Sequence, residues 1–85
     1  MSPFAVIWPR EHENELARLW VNASNKAAVA AAANRIDHLL ARDPYAYGED
    51  LSEGLYRIVE LPLGVYYSID SIGRAVQVEA VRLYS

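Results

Sequence analysis

From Gly54 to Tyr84 the chain alternates β-favouring runs with short breaks that each contain glycine. The runs read Gly-Leu-Tyr-Arg-Ile-Val-Glu-Leu, Val-Tyr-Tyr-Ser-Ile-Asp and Ala-Val-Gln-Val-Glu-Ala-Val-Arg-Leu-Tyr, separated by Pro62-Leu63-Gly64 and Ser-Ile-Gly-Arg. β-Branched and aromatic residues suit a pleated, half-buried surface, so the pattern predicts three strands in an antiparallel meander. Upstream, Phe4, Val6 and Trp8 alternate with Ala5 and Ile7 as a first strand, which Pro9 stops because it has no N–H to pair. The same proline suits the start of a helix, and Glu11, Glu13 and Glu15 favour the positive end of its dipole.

Helical spacing follows. His12, Leu16, Leu19, Trp20 and Ala23 form one stripe, with Glu11, Glu15 and Arg18 expected to face away. Ser24 or Asn25 is placed to cap a second helix over residues 26–42, which is rich in alanine and carries Val29, Ala32, Ala33, Ile36, Leu39 and Leu40 on one stripe. Two helices joined by so short a turn should pack antiparallel. Asp43-Pro44 ends the second helix, and residues 45–54 show no period and read as the longest loop. The expected fold is α+β in two layers, β-α-α-β-β-β, with an antiparallel meander sheet packed against an antiparallel helix pair as a single domain over residues 1–85.

Composition narrows the chemistry. Hydrophobic content of 53% and charge of 22% exclude disorder, and the absence of cysteine removes disulfides, thiolate metal sites and a thiol nucleophile. The N-terminus does not read as a signal peptide, and no run approaches the roughly 18 apolar residues of a membrane span, so a soluble, cytoplasmic protein is expected. The net charge of −3 works against general attraction to nucleic acid. Seven of the eight basic residues are nevertheless arginine, and Arg57, Arg74 and Arg82 lie in the meander. His12 and His38 sit on different helices without an i, i+4 partner, so neither a metal site nor a cofactor is expected.

Taken together, several stretches resemble the RelE/ParE toxin family of bacterial type II toxin–antitoxin systems. The likeness is carried by Trp8-Pro9 leading into Leu16-Ala17-Arg18-Leu19-Trp20, by Leu39-Leu40-Ala41-Arg42-Asp43-Pro44, by Gly54-Leu55-Tyr56-Arg57-Ile58, by the run from Leu63 to Asp70, and by the closing strand from Val76 to Tyr84. The resemblance implies growth inhibition, either by cleavage of mRNA on the ribosome or by action on DNA gyrase, and neutralisation by a cognate antitoxin. It places the family's strand arginine at Arg57 and, by approximate position, its C-terminal arginine and tyrosine at Arg82 and Tyr84. The central strands lack the family's lysine, Lys26 being the only one in the chain, which leaves translation and gyrase both open as targets. A non-toxic interaction module that kept the scaffold and its partner groove is the alternative.

Cleavage of RNA through its own 2′-hydroxyl needs a proton acceptor, a cation for the charge building on phosphate and a donor for the leaving oxygen. Arginine supplies the cation through its planar fork, but it stays protonated and is a poor proton shuttle. Tyr84 suits the role of acid, and Arg57, Arg82 and Tyr84 are therefore the candidate catalytic set. Leu16, Trp20, Tyr56, Tyr67 and Arg74 are the candidate contacts for antitoxin or target, because aromatic residues and arginine are enriched at binding hot spots. Tyr66 and Tyr67 must face opposite sides of their strand. Simple alternation puts Arg82 and Tyr84 on one face with Val76 and Val78, so either a bulge near Ala80 or a strand end emerging from beneath the helices is required. Alternation leaves open which face of the sheet is the core.

Overall fold

The computed structural model describes residues 3–84. The elements are β1 (Ala5–Ile7), α1 (Arg10–Asn22), α2 (Lys26–Arg42), α3 (Pro44–Tyr47), β2 (Glu49–Ser52), β3 (Leu55–Glu60), β4 (Leu63–Asp70) and β5 (Ala75–Leu83). The α+β, two-layer expectation holds, with helices on one face of a sheet, but the sheet is larger than the pattern predicts. Five strands run in the order β1-β5-β4-β3-β2. The pairs from β2 to β5 are antiparallel, while β1 joins β5 in parallel through Ala5, Val6 and Ile7 opposite Ala75, Val76 and Gln77. The sheet is therefore mixed.

The stretch expected to be a loop holds α3 and β2. Asp43 accepts hydrogen bonds from the backbone N–H groups of Tyr45 and Ala46, and Pro44 takes the first-turn position that its missing N–H suits, so one helical turn forms where the long helix has ended. β2 is a polar edge strand, Glu-Asp-Leu-Ser, that carries no apolar alternation and is held by pairing with β3. Polar residues on an edge strand discourage pairing with another chain.

Asn25 is the cap of α2, accepting from the N–H of Ala28 at 3.0 Å. From α2, Val29, Ala32, Ile36 and Leu40 are buried at helical spacing against Ile58, Leu63, Val65, Tyr67, Val76, Val78 and Val81. Each fully buried aliphatic side chain of this size contributes about 1.5–3 kcal/mol relative to exposure. α1 lies more shallowly and lends Leu16 and Leu19 to the edge of this core. β1 is fastened at its start by the Phe4 N–H donating to the Ala41 carbonyl at 2.8 Å.

The Ile58 face of β3 is the core, so Arg57 projects from the opposite, helix-free face with Leu55 and Val59, both exposed. On β5 the pairing with β4 slips: Tyr67 pairs with Val78 and Tyr66 with Ala80, leaving Glu79 as an extra residue. This bulge reverses the alternation. Val76 and Val78 are buried before it and Val81 after it, while Arg82 is exposed on the helix-free side.

Candidate functional site on the helix-free sheet face

Local geometry brings side chains from three strands together on that face. The β3–β4 turn is only Leu61-Pro62, which pairs Glu60 with Leu63 and so sets Arg57 opposite Tyr66. On the other side of β4, Gly64 pairs with Arg82 and Tyr66 with Ala80. Tyr84 follows β5, and its N–H donates to the Pro62 carbonyl at 2.6 Å, which fixes the chain end against the turn. Its ring then lies over Gly64, where a Cβ would fall 2.6 Å from the Tyr84 Cε2. Glycine makes the floor on which the tyrosine rests.

Each hydroxyl and guanidinium in this group has a specific neighbour. The Tyr66 and Tyr84 hydroxyls are 3.5 Å apart. Arg57 donates to the Tyr66 hydroxyl and, at 2.5 Å, to Glu49 of β2, and these contacts raise its pKa further above its already high value. Arg82 lies 3.5 Å from Glu15 of α1 and donates to the Val81 carbonyl at 3.0 Å. Tyr66 is held below the ordinary phenol value, first by its hydrogen bond with Tyr84, then by that with Arg57, with the charge of Arg82 adding to the effect. Tyr84 is pushed up by the same contact with Tyr66 and by burial. Two phenols in contact are thus driven in opposite directions.

Arg57, Arg82 and Tyr84, singled out from the sequence, therefore share one surface. The bulge at Glu79 provides the reversal that simple alternation demanded for Arg82. Tyr66, Glu49 and Glu15 were missed as members of this group. Tyr66 was within reach of the sequence, since a two-residue turn at Leu61-Pro62 dictates its pairing with Arg57. Glu15, expected to face solvent, instead accepts from the Val81 N–H at 3.4 Å, where β1 has ended and the β5 edge is bare.

The candidate partner contacts divide differently. Tyr67 is corrected from contact residue to core: it is fully buried, its hydroxyl donates to the Pro44 carbonyl at 2.7 Å, and burial holds its pKa far above the usual phenol value. Tyr56 stacks on Tyr67 at 5.6 Å and meets Tyr45 edge-on, so it belongs largely to an aromatic row that ends on Phe4. Arg74 lies in the β4–β5 turn with its guanidinium 4.2 Å from the Phe4 ring, an intramolecular cation–π contact. Leu16 and Trp20 do face an open groove of about 450 Å³ between α1 and α2, floored by Ala17, Ala30 and Ala33 and bounded by Trp8. Glu13 and Asp37 give this groove an acidic rim, and the Trp8 indole donates to Asp37 at 2.7 Å. Among the described residues no group of three or more His, Cys, Asp or Glu side chains is arranged to hold a metal ion. No helix among them is long and apolar enough to cross a membrane.

No protein-family model matches the chain, and no curated protein matches it by sequence. Solved structures do. The chain is similar to the RelBE2 toxin–antitoxin complex of Mycobacterium tuberculosis, with a TM-score of 0.80 and 21% identity over 98% of this chain and 93% of that one. It is also similar to the E. coli toxin RelE, solved in the free state as a double arginine mutant, with a TM-score of 0.66 and 15% identity over 95% of this chain and 82% of that one. The fold is thus that of RelE-type toxins.

Proposed function

We propose that this chain is the toxin of a toxin–antitoxin pair and that its helix-free sheet face binds and cuts RNA presented by the ribosome. The observation that carries the reading is the convergence of Arg57, Arg82, Tyr66 and Tyr84 from three strands onto one face. Two guanidinium groups suit a phosphate that gains charge during cleavage, and tyrosine rings give bases a surface on which to stack. A protein with net charge −3 has little general attraction for RNA, so a target presented by a larger assembly fits better than free capture. Tyr84, a phenol that keeps its proton at neutral pH, serves as proton donor to the leaving oxygen.

Neutralisation belongs to the groove between α1 and α2. An antitoxin segment with apolar side chains for Trp20, Leu16 and the alanine floor, flanked by basic residues for Glu13 and Asp37, complements its shape and charge.

The test adds purified protein to a cell-free translation reaction and maps the mRNA by primer extension. Cuts that require translating ribosomes and vanish in Arg57→Ala and Arg82→Ala support the reading. Intact mRNA with unaffected protein synthesis overturns it and transfers attention to gyrase, for which a supercoiling assay is the measurement.

A further inference from the structure

Both guanidinium groups of the helix-free face already have a carboxylate beside them. Arg57 donates to Glu49 of β2 at 2.5 Å, and Arg82 lies 3.5 Å from Glu15 of α1. We infer that Glu49 and Glu15 are specificity-determining residues, which mask the two arginines from free RNA and give way to a phosphodiester that the ribosome holds in place. The inference rests on the RNA-cutting reading above and names what makes that cutting depend on the ribosome.

Register and chain direction set both masks. Glu49 pairs with Arg57, and Arg57 with Tyr66, so the edge strand β2 places a carboxylate beside the guanidinium on the same face of the sheet. On the other flank, β1 pairs with β5 only as far as Gln77, and Glu15 enters beyond that point, with one oxygen on the Val81 N–H and the other toward Arg82. Glu79, the extra residue of the bulge, accepts from the Ser68 hydroxyl at 2.8 Å and adds a third carboxylate to the face. Three carboxylates against two guanidinium groups leave this surface without net positive charge, whereas capture of a free polyanion draws on a positive one.

The pairs are also weak enough to be displaced. The Glu49 side chain is 61% exposed and that of Arg82 56%, and ion pairs so open to water contribute little. A phosphate offers the guanidinium fork a charged, bidentate partner in exchange. RNA free in solution must displace the carboxylates and also give up its freedom of motion. A strand already positioned on the ribosome meets only the first of these costs.

The test measures binding of the full chain to a short single-stranded RNA by fluorescence anisotropy across a salt series. The RNA carries 2′-O-methyl groups, so it lacks the attacking hydroxyl and stays intact. Glu49→Gln and Glu15→Gln keep an acceptor oxygen for their N–H partners and remove only the charge. Each should tighten binding about threefold and the double variant about tenfold, with a log–log salt slope steeper by up to ~0.7 for each arginine released. The gain from Glu49→Gln should vanish in an Arg57→Ala background, and that from Glu15→Gln in Arg82→Ala. Glu11→Gln makes the same change of charge on α1, where the nearby partner is His12 and not an arginine, and should leave binding nearly unchanged. If the double variant binds no tighter than the natural protein, or if Glu11→Gln matches Glu15→Gln, the masking is overturned, while mRNA cuts made during translation still uphold the cleavage reading. If the double variant gains as expected but the natural protein cuts no mRNA during translation, the cleavage reading is overturned and the masking of the arginines stands.

Discussion

Glu15 and Arg82, 67 residues apart, join α1 to the end of β5: one carboxylate oxygen lies 3.5 Å from the guanidinium, while the other accepts from the Val81 N–H at 3.4 Å. The helix thereby replaces β1, which pairs with β5 only as far as Gln77. Glu15→Ala leaves that N–H without its protein partner and releases Arg82. The expected loss is about 1 kcal/mol, the combined scale of a partly exposed ion pair and a hydrogen bond, read from urea unfolding. Glu15→Gln, which keeps an acceptor and removes the charge, should lose less.

Gly64→Ala tests the seating of Tyr84. A Cβ at position 64 meets the Tyr84 ring and not the backbone, so the ring moves and the sheet stays. Stability should change by less than about 1 kcal/mol, because the position is in a strand, where alanine costs no entropy relative to glycine. On the proposed reading, RNA cutting should fall to the level of Tyr84→Phe, measured by primer extension beside a thermal melt.

Tyr67 predicts alkaline behaviour. Its folded pKa is raised by burial, so its contribution to stability is complete below the ordinary phenol value of about 10 and is lost as pH climbs beyond it, where the unfolded chain ionises first. Urea midpoints measured from pH 8 upward should fall above about pH 10, and Tyr67→Phe should flatten that fall. At neutral pH the same substitution should cost about 1 kcal/mol, since it leaves the buried Pro44 carbonyl without the 2.7 Å hydrogen bond.

The proposed reading assigns neutralisation to the groove between the helices and activity to the other face of the sheet. Ala30→Arg fills it from an exposed floor position, and Trp20→Ala removes an aromatic wall. Each should weaken antitoxin binding by about 2 kcal/mol or more, the scale of an interface hot spot, measured by calorimetry with the cognate antitoxin. On the proposed reading, growth arrest by this chain alone should be unchanged, because the groove and the arginine face lie on opposite sides of the sheet.

The strong patterns were legible in the sequence and the weak ones were not. β3, β4, β5 and the two long helices declare themselves through apolar periodicity, and Asn25 and Pro9 mark the helix starts. β2 was invisible because Glu49-Asp50-Leu51-Ser52 has no buried side to imprint alternation; its place comes from pairing with β3 and the Glu49–Arg57 contact. Both adjacent tyrosines carry equal β propensity, and only the register separates buried Tyr67 from Tyr66 on the helix-free face. Glu15 was misjudged because a helical wheel records which side a residue takes, not where a neighbouring strand runs out of partners.

The extra residue in β5 also bears on how the gene can change length. Before Glu79 the strand is in one frame of alternation, and after it in the other. Loss of one codon at Glu79 or Ala80 would regularise the ladder and leave Val81, Arg82 and Tyr84 pointing as they do now. A substitution scan across β5 should show the same phase jump, with intolerance at 76, 78 and 81 and not at every second position. Descendant sequences can therefore differ in length at this point and still present the same face.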